Sequence, residues 1–172
     1  MTFTALGLSA LCALVPPVDT TQAGTPTVIV VRHAEAIPDA GRDPALAAHG
    51  AARAQALADA LDHADVAAVY ATQYQRTQLT GAPAAAARGL AVTVKPIEGD
   101  ADAYAAKLAA EILAAHAGTV LIVGHSNTVP ALVKAFSGLV IPDLAHDSYD
   151  AMFVIAVRGP GHGSAVRARY GR

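Results

Sequence analysis

Arg32 and His33 close the most strand-like stretch of the chain, "VIVVRHAEAIPD", Val28 to Asp39. Three valines and an isoleucine run directly into two polar groups that avoid burial. Such groups end a buried strand when something satisfies them, and for this pair the natural partner is an anion. A guanidinium presents a planar fork to two oxygens, and the imidazole beside it is placed to do chemistry on whatever the fork holds. Two more segments carry groups of the same kind. "TQYQRTQ", with Arg76, follows a second apolar run, and "GHSNT", with His125, follows another. Each is weak alone, because Arg-His pairs are common and a GHS tripeptide can be a simple turn. Together, at three strand ends, they describe a phosphate cradle.

Apolar spacing shows the elements that must position these groups. Val28 to Val31 is a continuous apolar run, as expected of a strand buried on both faces. "HGAARAQALADALDHA" places Ala54, Leu57, Ala58 and Leu61 at helical spacing. "VAAVYA", Val66 to Ala71, reads as a second strand. "RTQLTGAPAAAARG" reads as a helix stopped by Gly89, with Pro83 bending it or marking its restart. "LAVTV", Leu90 to Val94, is a third strand. "AYAAKLAAEILAAHAG" is a helix with Lys107 and Glu111 four apart on one face and Gly118 after its end. "TVLIV", Thr119 to Val123, is a fourth strand, and a helix follows from about Val129 to Phe136. "AMFVIAV" and "AVRARY" are two strands around "RGPGHGS", a hairpin at a sheet edge. No repeat or linker divides the chain. This alternation predicts a three-layer αβα sandwich with a mostly parallel central sheet. In such sheets ligands bind beyond the carboxyl ends of the strands, where Arg32, His33, Arg76 and His125 lie.

Composition narrows the function. A chain of 172 residues suggests one domain, and 53% hydrophobic residues are enough for a substantial core even with much of that share alanine. The net charge is −2 and there is no basic tract, so neither nucleic acid nor an anionic membrane surface is an expected partner. The apolar run Phe3 to Val15 is too short to span a bilayer and has the length of a signal-peptide core. "TQA" before Gly24 resembles a cleavage site, although no Lys or Arg precedes the run. The expectation is a signal peptide over residues 1–23, a mature domain over 24–172, and export to a periplasmic or extracellular space. Cleavage would remove Cys12, the single cysteine, and with it any disulfide or thiol nucleophile. No lasting membrane association is expected after cleavage. The oligomeric state is open.

Four segments together resemble the histidine phosphatases, the phosphoglycerate mutase-like superfamily: "VRHAE" (Val31 to Glu35), "DPALAAHGAARAQALADAL" (Asp43 to Leu61), "YATQYQRTQLTGAPAAA" (Tyr70 to Ala86) and "VLIVGHSNTVPALV" (Val120 to Val133). The likeness covers about Thr27 to Val157. It implies a compact member with the phosphoglycerate mutase-like fold and no cofactor. It also implies that His33 attacks phosphorus and becomes phosphohistidine, that water then releases phosphate, and that Arg32, Arg76 and His125 hold the phosphoryl oxygens. Flanking cations should keep His33 unprotonated and offset charge on the transferring group.

The sequence departs from the family pattern in two places. Ala34 stands where a glycine is usual, a mild change unless the backbone there has positive φ. The family's leaving-group acid has no clear counterpart. Glu98 is the candidate, with Asp100 and Asp102 competing, Asp102 being equally suited to cap the next helix. Asp147 and Asp150 are more remote. His49, His63, His116, His146 and His162 are scattered rather than at metal-ligand spacing, so no metal site is expected. Ser126 lacks the second glycine of a nucleophile elbow. The leading expectation is a phosphatase for small phosphomonoesters. The alternatives are a phosphohistidine or phosphoprotein phosphatase of the compact signalling type and a non-catalytic phosphate-binding module.

Overall fold

The computed structural model describes residues 24–171, so the expected signal peptide over 1–23 lies outside the described residues. The elements run β1 (Thr27–Arg32), α1 (Ala48–Ala60), β2 (Val66–Ala71), α2 (Gln75–Ala86), β3 (Val92–Val94), α3 (Ala101–Ala115), β4 (Thr119–Gly124), α4 (Thr128–Ser137), β5 (Ala151–Gly159) and β6 (His162–Arg169). They form one six-stranded sheet in the order β3-β2-β4-β1-β5-β6. The pairings β3–β2, β2–β4 and β4–β1 are parallel, and the hairpin β5–β6 joins β1 antiparallel at one side.

Alternation along β1 and β4 builds the three layers. Val28, Val30, Val120 and Ile122 pack with Leu108, Ile112, Leu132 and Phe136 of α3 and α4. Ile29, Val31, Leu121 and Val123 face the other way, onto Leu57, Ala58, Ala84 and Ala85 of α1 and α2. Both central strands are therefore buried on both faces, which is why their sequences are continuous apolar runs rather than alternating ones. This is the mostly parallel αβα sandwich of the phosphoglycerate mutase-like fold.

Three local expectations change. α2 continues through Pro83 without interruption. The carbonyl that this proline leaves unpaired belongs to Leu79, which is 42% exposed, so water can satisfy it. The β5–β6 turn is tighter than "RGPGHGS" suggested, because pairing extends to Gly159 and His162 and leaves only Pro160 and Gly161, the latter at φ 67°. Lys107 and Glu111 do not pair along α3; Lys107 reaches back to Glu98, while Glu111 pairs with Lys95 beyond β3.

Candidate active site

The register of β1 against β4 sets the site. Arg32 lies level with Gly124, and the His33 backbone N–H donates to the Gly124 carbonyl at 2.9 Å. His33 and His125 thus leave neighbouring strands at the same height, with ring centroids 5.3 Å apart. A side chain at Gly124 would put its Cβ 2.7 Å from Thr128 Oγ1. Glycine lets the start of α4 come close enough for that hydroxyl to accept the His125 N–H at 2.7 Å. α2 begins just beyond β2 and brings Arg76 to the same edge. The four residues line one cleft of about 420 Å³, together with Tyr74, Ile97, Ser126, Asn127 and His146.

His33 is held as a nucleophile would be. Its Nδ1 lies 2.7 Å from the Ala34 carbonyl oxygen. Only an N–H can make that bond, so the proton sits on Nδ1 and Nε2 keeps its lone pair. Its pKa is lowered to about 4, chiefly by burial, with Arg76 and Arg32 acting in the same direction against the opposing effect of the Ala34 bond. The ring is therefore neutral at pH 7. His125 is lowered to about 3, first by burial and then by His33, Arg76 and Arg32. Its Nε2 lies 2.9 Å from the hydroxyl of Thr72, at the end of β2.

The two arginines are anchored differently. Arg32 Nη1 donates to the carbonyls of Ala145, His146 and Ser148 at 2.8, 2.9 and 3.3 Å. Its guanidinium lies 4.1 Å from the centre of the Tyr149 ring, and its Nε is buried without a hydrogen-bond partner. Burial lowers its pKa, and Tyr149, Asp147 and Glu35 offset that. Arg76 stands in the first turn of α2, over the Tyr74 ring at 4.4 Å. Asp43 serves this helix start from a distant loop. Its Oδ1 accepts the Gln75 N–H at 2.8 Å and lies 4.0 Å from Arg76 Nη1. A carboxylate at a helix N-terminus also suits the local dipole.

The nucleophile loop is tied down on three sides. The Ala34 N–H donates to Thr80 Oγ1 at 2.9 Å, and that hydroxyl donates to the Arg76 carbonyl at 2.7 Å. Ala34 does not have positive φ, so its methyl group carries no strain. Glu35 forms a forked pair with Arg53, whose Nη1 also reaches the Gly171 carbonyl at 2.9 Å. The Glu35 carbonyl accepts the Ala47 N–H at 2.9 Å, and α1 passes so close that a Cβ on Gly50 would lie 2.0 Å from that carbonyl oxygen. Gly50→Ala must displace either backbone. It is expected to cost more than the ~1–3 kcal/mol of ordinary overpacking, measured as a shift in chemical unfolding, with loss of whatever activity the loop supports.

The structure does not bring Glu98 to this cluster. Gly99, at φ 73°, turns the chain so that Glu98 is 70% exposed and paired with Lys107 at 2.7 Å. Lys107 holds the Glu98 carboxyl below its usual pKa, the reverse of what a proton donor at neutral pH needs. Asp100, not Asp102, caps α3 by accepting the Ala103 N–H at 2.8 Å, and Asp102 pairs with Lys134 across to α4. Asp147 acts on Arg32 through its charge, and Asp150 pairs with Arg169 at 2.8 Å. The cleft lining contains no carboxylate. Sequence reasoning missed Tyr74, Tyr149, Thr72, Thr80 and the roles of Asp43 and His146. Of these, Asp43 at the head of "DPALAAHG", and Thr72, Tyr74 and Thr80 in "YATQYQRTQLTGAPAAA", fell inside quoted motifs. Tyr149 had no local signal.

Among the described residues no group of three or more His, Cys, Asp or Glu side chains could hold a metal ion. No helix among them is long and apolar enough to cross a membrane.

Comparison with known proteins agrees with this geometry. Residues 28–97 match the model of the histidine phosphatase superfamily, branch 1. Two curated relatives, the uncharacterised proteins Rv0525 and MT0547 of Mycobacterium tuberculosis, are 48% identical over 75 residues, which cover 40% of this chain and 37% of theirs. Among solved structures, the protein histidine phosphatase SixA complexed with tungstate is 20% identical with a TM-score of 0.63, over 83% of this chain and 96% of that one. A SixA-type protein of Nakamurella multipartitia is 26% identical with a TM-score of 0.61, over 86% and 95%. Mycobacterial glucosyl-3-phosphoglycerate phosphatase Rv2419c is 16% identical with a TM-score of 0.65, over 84% and 98%. With its fold and its strand-end arginine-histidine pair, the chain is similar to members of the histidine phosphatase superfamily, whose model matches residues 28–97.

Proposed function

We propose that the chain is a phosphatase that works through a phosphohistidine on His33 and favours phosphoryl groups whose leaving group needs little protonation. In the first step His33 Nε2 bonds to phosphorus as the bond to the leaving group breaks. In the second, water attacks phosphorus, the P–N bond breaks, and phosphate leaves with the neutral imidazole restored. Arg32 and Arg76 hold the equatorial oxygens, where charge is spread during transfer. The observation that carries the mechanism is His33 itself: neutral, with Nδ1 fixed by the Ala34 carbonyl, in one cleft with Arg32 and Arg76.

The preference for easy leaving groups rests on a second observation, a cleft lining with no carboxylate. Phosphomonoesters of acidic alcohols and phosphoramidates such as phosphohistidine fit that condition. Similarity to a protein histidine phosphatase supports the phosphoramidate, and similarity to a glucosyl-3-phosphoglycerate phosphatase supports a small ester. The apolar segment Phe3 to Val15 favours an exported enzyme and hence a small phosphorylated substrate.

The test is a paired assay. General acid catalysis is worth about 10²–10⁴-fold where the leaving group is poor. The protein is expected to hydrolyse 4-nitrophenyl phosphate and phosphoramidate at least ~10²-fold faster than glycerol phosphate. Glu98→Gln should leave all three rates unchanged. A selective loss on glycerol phosphate in Glu98→Gln would restore Glu98 as the acid, and no hydrolysis of any of the three would refute the phosphatase.

A further inference from the structure

We infer that the cleft takes the phosphoryl group with one proton on it, and that this proton lies between a phosphoryl oxygen and Nδ1 of His125. The inference rests on the reading of the cleft as a phosphate site and adds the ionisation state of what it binds.

The argument follows hydroxyl protons through buried threonines. Thr77 Oγ1 lies 2.7 Å from the Tyr74 carbonyl and 3.2 Å from the Thr72 carbonyl. Carbonyls only accept, so the single hydroxyl proton of Thr77 points to them. The same Oγ1 is 2.9 Å from Thr72 Oγ1, so Thr72 is the donor in that bond. With its one proton spent, Thr72 must accept from His125 Nε2 at 2.9 Å. Nε2 therefore carries the ring proton. Thr72 and Thr77 have no exposed surface through which water could reverse the chain of bonds.

A neutral ring protonated at Nε2 has its lone pair on Nδ1. Nε2 is taken by Thr72, so Nδ1 is the nitrogen that remains for a ligand in the cleft. A bare phosphoryl oxygen would meet this lone pair with repulsion, whereas a P–OH would donate to it. The alternative is an imidazolium, and the surroundings oppose one. Arg32 and His33 face His125 from β1, Arg76 and Tyr74 from the start of α2, and His146 from the loop 138–150. None of these groups is an anion at neutral pH, and burial acts in the same direction.

Two measurements test this. In ¹⁵N-labelled, ligand-free protein, long-range ring correlations should show His125 protonated at Nε2 and His33 at Nδ1; His125 protonated at Nδ1 overturns the inference. Inorganic phosphate should bind more weakly as pH rises through its second ionisation, by roughly tenfold per pH unit once the dianion predominates. Sulfate, which carries no proton there, should bind at least tenfold more weakly than phosphate. Thr72→Val removes the acceptor and frees the ring to place its proton on Nδ1, so the pH dependence should flatten and the gap to sulfate should close. Affinity for phosphate that rises between pH 5 and 7 and then levels, or a Thr72→Val variant with the wild-type slope, overturns the inference and leaves the phosphate site standing. Failure of phosphate to bind at any pH overturns both.

Discussion

His33→Ala is expected to lose on the order of 10³-fold or more in kcat while the fold survives, because removing a covalent nucleophile leaves only the binding groups to act on substrate. The backbone of the loop is held independently of that ring, through the His33 N–H to Gly124 and the Ala34 N–H to Thr80. Loss of activity should therefore come with a nearly unchanged unfolding midpoint. Rapid quenching of the wild-type protein with labelled substrate should trap phosphate on His33 in an acid-labile, base-stable bond. The pH profile supplies a second check. Protonation of Nε2 would destroy the nucleophile, and in the free protein that happens near pH 4 rather than 6.5. The acid limb of kcat/KM assigned to His33 should therefore fall near pH 4. Label on Ser126, or substantial turnover by His33→Ala, would remove His33 from the mechanism.

Arg76→Ala is expected to lose ~3 kcal/mol of transition-state stabilisation, about a hundredfold or more in kcat/KM, the scale of removing one preorganised donor from developing charge. Arg76→Lys should recover only part, since an ammonium cannot reproduce two parallel bonds. Arg76 tests this better than Arg32 does. It rests on the Tyr74 ring and lies 4.0 Å from Asp43, so little of the fold depends on its head group. Arg32→Ala would remove a donor from three carbonyls of the loop 138–150 and confound binding with structure. Near-normal kinetics in Arg76→Ala would make the start of α2 ordinary helix surface.

The layers were legible in the sequence because β1 and β4 are buried on both faces, and a continuous run of β-branched residues suits little else. The grouping of Arg32, His33, Arg76 and His125 at one sheet edge followed from a general rule, that parallel strands present their carboxyl ends together. What supports them was not legible. Arg32 finds its carbonyls 113, 114 and 116 residues later, in a loop with no motif of its own. Tyr149 is half-buried against Arg32, and nothing in "HDSYD" announces a ring beneath a guanidinium. Glu98 was the candidate because it lies, between Pro96 and Gly99, in the segment after the second arginine where the resembled family carries its acid, but a side chain's direction depends on local backbone. The positive φ at Gly99 starts a turn into α3 that gives Glu98 to Lys107. Asp102 was the expected cap of α3, but it is the Asp100 carboxylate that reaches the Ala103 N–H.

The position of β1 has a consequence for how the chain reaches its native state. β1 precedes the other described strands along the chain, yet it lies between β4 and β5, with Thr27 level with Thr119 on one side and Ala156 on the other. Residues 28–97, the part that matches the family model, contain β1 and neither of its partners. A nascent chain must therefore carry the apolar run Val28 to Val31 without its strand partners until β4, and then β5, has been made. Such non-local pairing has high contact order, and loop-closure entropy must be overcome before any of it is rewarded. Folding is thus expected on the slow side for a domain of this size, with Val28 to Val31 as the segment most exposed to wrong association. The chemistry is bound to the same event. Arg32 gains its carbonyl partners only when residues 145–148 close over it, so no early fragment can hold a half-formed and reactive site.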